Sequence, residues 1–156
     1  MDIGIIRKIE SSDLNNIIEI EKKCFDNVLA YTPKQLKYLI TKANSNCLLE
    51  LFEETPRGFI ILLLKRNSYL AGIEILNVDP MHRGKGIGKM LLKAAEEEMI
   101  LKGIKMIRLE VSINNQDAIN LYEKVGYKKT AILRDYYRYK HYDSHDAFRF
   151  VKLLAT

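Results

Sequence analysis

The stretch VDPMHRGKGIGKMLLKAAEEEM, residues 78–99, decides the fold of this protein. An apolar segment ends at Val78, and RGKGIGK (83–89) places three glycines and three basic residues directly before a helical pattern. A helix N-terminus presents unpaired N–H groups and the positive end of its dipole, and glycine lets an anion approach the backbone. The stretch therefore predicts an anion-binding loop between a strand and a helix.

The spacing of the glycines narrows the kind of anion. A Walker loop has four residues between its first glycine and the Gly-Lys pair, and then Ser or Thr; here three residues separate Gly84 from Gly88, and Met90 follows Lys89. The Rossmann pattern G-x-G-x-x-G is also not met. A plain turn is the structural alternative, but each glycine would then cost ~0.5–1 kcal/mol for no purpose. A pyrophosphate-bearing ligand fits better.

The composition sets limits on the class of protein. The chain has 156 residues, 47% of them hydrophobic, and we expect one domain, 1–156. The apolar runs are shorter than the ~20 residues of a membrane helix, and the N-terminus lacks a signal-peptide pattern, which favours a cytoplasmic protein without membrane contact. Cys24 and Cys47 have neither zinc nor disulfide-framework spacing, so no metal is expected. The net charge of +5 favours an anionic partner, but dispersed basic residues make nucleic acid an unlikely one.

The patterns along the chain predict the order β-α-α-β-β-β-α-β-α-β-β. Strands are expected at 3–9, 47–54, 57–65, 71–78, 105–112, 130–139 and 146–154, with a turn at Thr55-Pro56. Helices are expected at 14–25, from a capping box at 32–35, at 86–102 and at 116–125. The segment 47–78 should form an antiparallel meander, and the unit 71–111 a right-handed parallel crossover. The fold class is α/β (α+β), with helices on a mixed sheet.

Three further segments give a family resemblance. LEVSINNQDAINLYEKVGY (109–127), RDYYRY…DA (134–147) and CFDNVLAYTPKQL (24–36), together with the glycine loop, resemble in order the motifs of the GNAT acetyltransferase superfamily. They are most similar to its protein N-terminal acetyltransferase branch, which includes the ribosomal-protein-alanine and archaeal enzymes. The resemblance implies the GNAT fold, a mixed and mostly antiparallel central sheet flanked by helices. One departure concerns substrate choice: a proline usual near Val28 is missing, and Tyr31 stands where tryptophan is common.

The resemblance implies roles for individual residues. Glu110 matches the general base, acting directly or through a water, and Tyr122 the general acid; ordinary packing or surface roles are the alternatives. Asn115 matches a pantetheine contact, and it is also a helix N-cap candidate. The cofactor-binding positions are Leu76, Asn77, Val78, Arg83, Gly84, Lys85, Gly86, Ile87, Gly88, Lys89 and Asn115, and the peptide-binding positions are Phe25, Tyr31, Tyr136 and Tyr137.

The implied activity is acetyl transfer from acetyl-CoA to the α-amino group of protein or peptide N-termini, ribosomal proteins among them. A small-molecule amine or a lysine side chain is the rival substrate, and the Tyr136-Tyr137 pair argues against it. A non-catalytic CoA-sensing or ribosome-binding module is the rival of another class, and the presence of both Glu110 and Tyr122 argues against that. The three histidines have no metal-ligand spacing, and we expect loop or surface positions for them.

Overall fold

The computed structural model describes residues 3–155. Seven strands form one sheet and four helices cover it. The strands are β1 (Ile5–Lys8), β2 (Ser45–Phe52), β3 (Thr55–Leu64), β4 (Leu70–Val78), β5 (Met106–Ser112), β6 (Lys128–Leu133) and β7 (Ala147–Leu153). The helices are α1 (Leu14–Cys24), α2 (Pro33–Thr41), α3 (Ile87–Leu101) and α4 (Gln116–Lys124), with short 3₁₀ turns at Ser11–Asp13 and Pro80–His82. The predicted order of strands and helices is confirmed.

Local signals account for several helix ends. Thr32 and Gln35 form the predicted capping box of α2: the Thr32 hydroxyl accepts from the Gln35 N–H, and the Gln35 side chain accepts from the Thr32 N–H. Asn115 caps α4 by accepting from the Ala118 N–H at 3.3 Å. Helix α3 ends before Gly103, whose φ of +80° suits glycine at this position.

The sheet has the order β1-β2-β3-β4-β5-β7-β6. Every neighbouring pair is antiparallel except β4 and β5, which are parallel, as the crossover through α3 requires. Apolar side chains pack on both faces of the sheet. One face packs against α3 and α4 through residues such as Leu62, Leu91 and Phe150, and the other against α1 and α2 through Ile17, Leu36 and Phe59.

Two predicted boundaries were wrong. The β2–β3 turn lies at Glu53 and Glu54, not at Thr55-Pro56; both glutamates have positive φ, and Pro56 belongs to β3 opposite Leu51, beside a register shift that accommodates a residue without an N–H. The strand expected at 130–139 ends at Leu133. Asp135 adopts φ +52°, which turns the chain out of the sheet before the two tyrosines.

Candidate active site

The two parallel strands in the middle of the sheet separate. Strands β4 and β5 pair at three positions only, from Leu70 opposite Met106 to Gly72 opposite Arg108. Beyond them β4 continues to pair with β3, and β5 with β7, so the sheet opens between their carboxyl ends. A cleft of about 420 Å³ fills this opening, lined by β4, β5, α1, α4 and the loops after α1 and β6. Such an opening is where ligands bind in α/β sheets.

Glu110 projects into the cleft from β5. Side chains alternate along this strand: Ile107, Leu109 and Val111 are buried in the core, and Glu110 faces the other way. The side chain of Glu110 is 17% exposed, and its Oε2 accepts from the Nε of Arg149 at 2.9 Å. Arg149 lies directly opposite Glu110 on β7. The nearest arginine therefore holds the carboxylate in place, which makes Glu110 a fixed anion at the wall of the cleft.

Tyr122 reaches the cleft from the other side, on α4. Its ring is 7% exposed and packs edge-to-face on Tyr127, with centroids 5.8 Å apart, and against Phe150. Within residues 3–155 no group forms a hydrogen bond with the Tyr122 hydroxyl, which lines the cleft. Burial raises the pKa of this phenol, so it is a neutral hydroxyl at pH 7 with a proton to donate.

Aromatic side chains form the outer wall of the cleft. The loop 134–146 carries Tyr136 and Tyr137, and the Tyr137 N–H donates to the carbonyl of His145 at 2.9 Å. His141 stacks on Tyr137 with ring centroids 3.9 Å apart, and Phe25 meets His141 edge-on. The Tyr136 hydroxyl lies 3.4 Å from Oε1 of Glu110. The loop therefore links the aromatic wall to the carboxylate.

The glycine loop begins where β4 ends and lies outside the lining of the cleft. Gly84 and Gly86 have φ of +80° and +77°, and there is open space where their side chains would be. The first backbone hydrogen bond of α3 runs from Met90 N–H to Gly86 carbonyl, so the preceding amides of 87–89 have no partner within the helix. These features fit an anion at the N-terminus of α3.

Two loop residues have additional contacts that the sequence pattern did not indicate. A side chain at Gly88 would lie 3.2 Å from Leu121 Cδ2, so this glycine allows α3 to approach α4. Arg83 folds back towards α1: its Nε donates to the carbonyl of Val78 at 3.3 Å and its Nη2 lies 3.6 Å from the sulfur of Cys24. Lys85 in the loop and Lys89 in the first turn of α3 are exposed.

The edge of β4 that faces the opening suits an extended ligand. Past Gly72 no strand within residues 3–155 lies beside this edge of β4. The Asp79 N–H donates to the carbonyl of Arg57, so in the alternation of the β3–β4 pair Asn77 pairs with β3, and the backbone groups of Leu76 and Val78 face the opening. Asn115 lines the opposite wall. An unpaired strand edge binds an amide-containing chain by main-chain hydrogen bonds. A pantetheine arm along β4 and a pyrophosphate at α3 fit these residues together.

Two carboxylates that the sequence analysis did not select also line the cleft. Glu21 of α1 is 1% exposed and accepts from the Asn77 amide at 2.6 Å and from the Tyr31 N–H at 2.9 Å; burial raises its pKa. Glu74 of β4 is exposed, and it accepts a hydrogen bond from the Tyr31 hydroxyl. The sequence signal that could have indicated them is a charged residue at an otherwise apolar position, in the helical stripe of α1 for Glu21 and in strand β4 for Glu74. His141 was expected in a loop, and it is in one, but at the cleft.

The structure brings together nine of the predicted site residues around the cleft: Phe25, Tyr31, Leu76, Asn77, Glu110, Asn115, Tyr122, Tyr136 and Tyr137. The remaining eight, Val78 and Arg83 to Lys89, continue from the end of β4 to the start of α3. Residues 3–155 include no group of three or more His, Cys, Asp or Glu side chains placed to hold a metal ion. In the same range, no helix has both the length and the apolar character needed to cross a bilayer.

The comparison with known proteins gives the family. The acetyltransferase (GNAT) family model matches residues 14–127, and the chain therefore belongs to the GNAT acetyltransferase family. The mixed, mostly antiparallel seven-strand sheet with four helices is the GNAT fold. Enzymes of this family use acetyl-CoA, which identifies the ligand class that the glycine loop and the edge of β4 fit.

Curated relatives match part of the chain. The [ribosomal protein bS18]-alanine N-acetyltransferase of Salmonella typhimurium is 40% identical over 60 residues, which are 38% of this chain and 40% of the relative. The N-alpha-acetyltransferase of Sulfurisphaera tokodaii is 35% identical over 86 residues, 54% of this chain and 47% of the relative. The matched stretches thus span less than half the length of these two relatives.

Solved structures match over nearly the full length. The ribosomal-protein-S18-alanine N-acetyltransferase from Escherichia coli superposes with a TM-score of 0.86 at 23% identity, covering 99% of this chain and 96% of that one. Ard1 from Thermoplasma volcanium gives a TM-score of 0.85 at 24% identity, covering 98% and 99%. At these identities the likeness establishes the fold.

Proposed function

We propose that this protein transfers the acetyl group of acetyl-CoA to the α-amino group of protein N-termini. The observation that carries the proposal is the cleft between β4 and β5, which gathers Glu110, Tyr122 and Tyr136 beside the free edge of β4. The curated relatives that act on a ribosomal-protein alanine and on N-terminal amines support this substrate class.

The proposed role of Glu110 is to accept the proton that the amine loses as its nitrogen attacks. Acetyl-CoA supplies the activated acyl group. An α-amine with a pKa of ~7.7–8.0 is ~10–20% neutral at pH 7, whereas a lysine ε-amine at ~10.4 is only ~0.04% neutral. Glu110 is fixed by Arg149, and it lies within reach of the Tyr136 hydroxyl. A base held in this way needs less strength for an α-amine than for a lysine, because the neutral fraction of the α-amine is already several hundred times larger, ~10–20% against ~0.04%.

The proposed role of Tyr122 is to donate its hydroxyl proton towards the sulfur as the C–S bond breaks. Its hydroxyl has no hydrogen bond to residues 3–155, so it is available to a group in the cleft. Because a phenol is a weaker acid than a thiol, we describe the contribution as a hydrogen bond that strengthens while charge develops on sulfur. The nitrogen gains the acetyl group and loses one proton, and the thiol leaves with one.

Tyr31, Tyr136 and Tyr137 are the proposed contacts of the peptide. All three line the cleft, and each combines an apolar ring with a hydroxyl of the kind that binds peptide backbone. In this proposal the chain acts in the cytoplasm on a protein partner, without a metal.

A pair of peptides tests the substrate class. The first has a free N-terminus and no lysine; the second is the same peptide with a blocked N-terminus and one internal lysine. We expect the first to be acetylated more than about tenfold faster at pH 7, with the ratio falling as the pH approaches ~10, because the neutral fraction of lysine then rises. Comparable rates for the two peptides at pH 7 would contradict the proposal and favour a lysine side chain or a small amine as substrate. Spermidine, as a third substrate, tests acetylation of a small amine.

A further inference from the structure

The cleft is acidic although the protein is basic. The chain has 25 Lys and Arg against 20 Asp and Glu, yet the lining of the cleft includes three glutamates and, within residues 3–155, no Lys or Arg. A concave site lined by one sign of charge attracts the opposite charge. The question is which of the three glutamates is available to a ligand.

Two of the glutamates are already engaged by the protein. Glu21 is fully buried and accepts hydrogen bonds from Asn77 and from the backbone of Tyr31, so it fixes the loop after α1. Glu110 is paired with Arg149 at 2.9 Å and lies 3.4 Å from the Nε of Arg108. Its charge is largely balanced within the sheet.

Glu74 differs from both. Ile61 pairs with Ile75 and Leu62 with Ile73, so Glu74 is the extra residue of a β-bulge in β4. A bulge redirects a side chain, and here the carboxylate lines the cleft, where it accepts one hydrogen bond from residues 3–155, that of the Tyr31 hydroxyl. No Lys, Arg or His within residues 3–155 forms an ion pair with Glu74. This carboxylate keeps an unbalanced negative charge at the mouth of the cleft.

Glu74 lies apart from Glu110, the proposed base for the reacting amine. It lies on β4, across the opening from Glu110 on β5, and both carboxylates line the cleft together with Tyr136, whose hydroxyl lies 3.4 Å from Oε1 of Glu110. The amine must lose its proton to react, which is the work assigned to Glu110. A carboxylate without a cationic partner on the opposite wall suits a group that keeps its charge.

Resting on the proposed function, we propose that Glu74 is a specificity-determining residue that favours substrates with a positively charged side chain within the first two residues. The charge would lie near the bulge while the α-amine lies at Glu110. An ion pair of this exposure is expected to favour the cationic substrate by up to about fivefold in kcat/KM. The effect should fall mainly on KM, because the contact exists before and during reaction.

The test uses matched peptides that differ at the first or second residue by Arg, Gln or Glu; Arg replaces Lys so that no second amine can be acetylated. The native protein should prefer Arg over Gln by about fivefold and disfavour Glu. Glu74→Gln should bring the Arg/Gln ratio to about one. Glu97→Gln is the matched control, because it removes the same charge from the exposed face of α3, outside the cleft, and should keep the native ratio.

Two further readouts separate recognition from a structural role. Tyr31→Phe removes the hydrogen bond to Glu74 but keeps the carboxylate, so a preference for Arg should persist. Salt of about 1 M, where the screening length is ~3 Å, should reduce the preference of the native protein. If Glu74→Gln changes all peptides equally, or if the native protein shows no preference, the inference is wrong.

The same assays distinguish failure of the inference about Glu74 from failure of the proposed function. Peptides acetylated without a charge preference overturn the inference and leave the proposed function intact. Acetylation of spermidine but of no peptide, with a rise in KM in Glu74→Gln, overturns the proposed peptide substrate and leaves Glu74 as a cation-selecting residue.

Discussion

Replacing Tyr122 by Phe separates a catalytic hydroxyl from a packed ring. The ring keeps its contacts with Tyr127 and Phe150, and the hydroxyl has no hydrogen bond within residues 3–155 to lose. The free energy of unfolding should therefore change by less than about 0.5 kcal/mol. If the hydroxyl assists the departing thiol, kcat should fall by ~10²–10⁴, which corresponds to ~2.7–5.5 kcal/mol in the activation barrier.

Tyr127→Phe provides the matched control in the same aromatic cluster. Tyr127 is 2% exposed and its hydroxyl donates to the Glu96 carboxylate at 3.1 Å, away from the cleft. Loss of a hydrogen bond to a charged group costs ~1.5–3 kcal/mol, or ~3–12 °C in Tm for a chain of this size. We expect this variant to lose stability and keep kcat, and Tyr122→Phe to do the reverse. Steady-state kinetics measures kcat, and thermal melts measure the stability of both variants. A Tyr122→Phe variant with more than about half of native kcat would refute the assigned role.

Two other variants test the cofactor loop and the core. Gly86→Ala places a side chain at φ +77°, at a cost of ~1–2 kcal/mol, and should weaken acetyl-CoA binding about tenfold in calorimetry. The control is Gly103→Ala, at φ +80° beyond the other end of α3, which should cost similar stability and leave the affinity for acetyl-CoA unchanged. If the two variants bind acetyl-CoA equally well, the glycine loop is not part of the site. Arg57→Met leaves the fully buried Glu50 carboxylate without its guanidinium partner, and denaturant unfolding should show that the free energy of unfolding falls by ~3–5 kcal/mol. Adding Glu50→Leu should recover most of this loss. An Arg57→Met variant with native stability would show that the pair contributes nothing.

Much of the fold could be predicted because its signals are local. A capping box at Thr32, a glycine after α3 and alternation along β5 each depend on residues within one or two turns of chain. The two wrong strand boundaries lie where no local sequence signal indicates the backbone conformation. Glu53 and Glu54 form the β2–β3 turn with positive φ, although glutamate is not typical there, because the pairing of β2 with β3 imposes it.

The candidate site was predictable in its chain segments and less so in its contacts. Motifs indicated Glu110 and Tyr122, and the structure places both at one cleft; their catalytic roles stay predictions. Arg149 could not be paired with Glu110 from the sequence, because that contact depends on the register of β7 against β5. In the sequence, Glu74 is a single charged residue in an apolar strand. Only the structure shows the bulge in β4 that directs it to the cleft.

The sequence by itself determined the order of strands and helices, the helix ends and the glycine loop, since each follows from periodicity, capping and backbone freedom over a few residues. The tertiary structure alone decided where the sheet opens. That opening arises because β4 and β5 pair for three residues and then follow different neighbours, β3 and β7, and no local pattern encodes where two strands part. The acidic lining of the cleft in a protein of charge +5 has the same origin, because it depends on which side chains the separated strands expose.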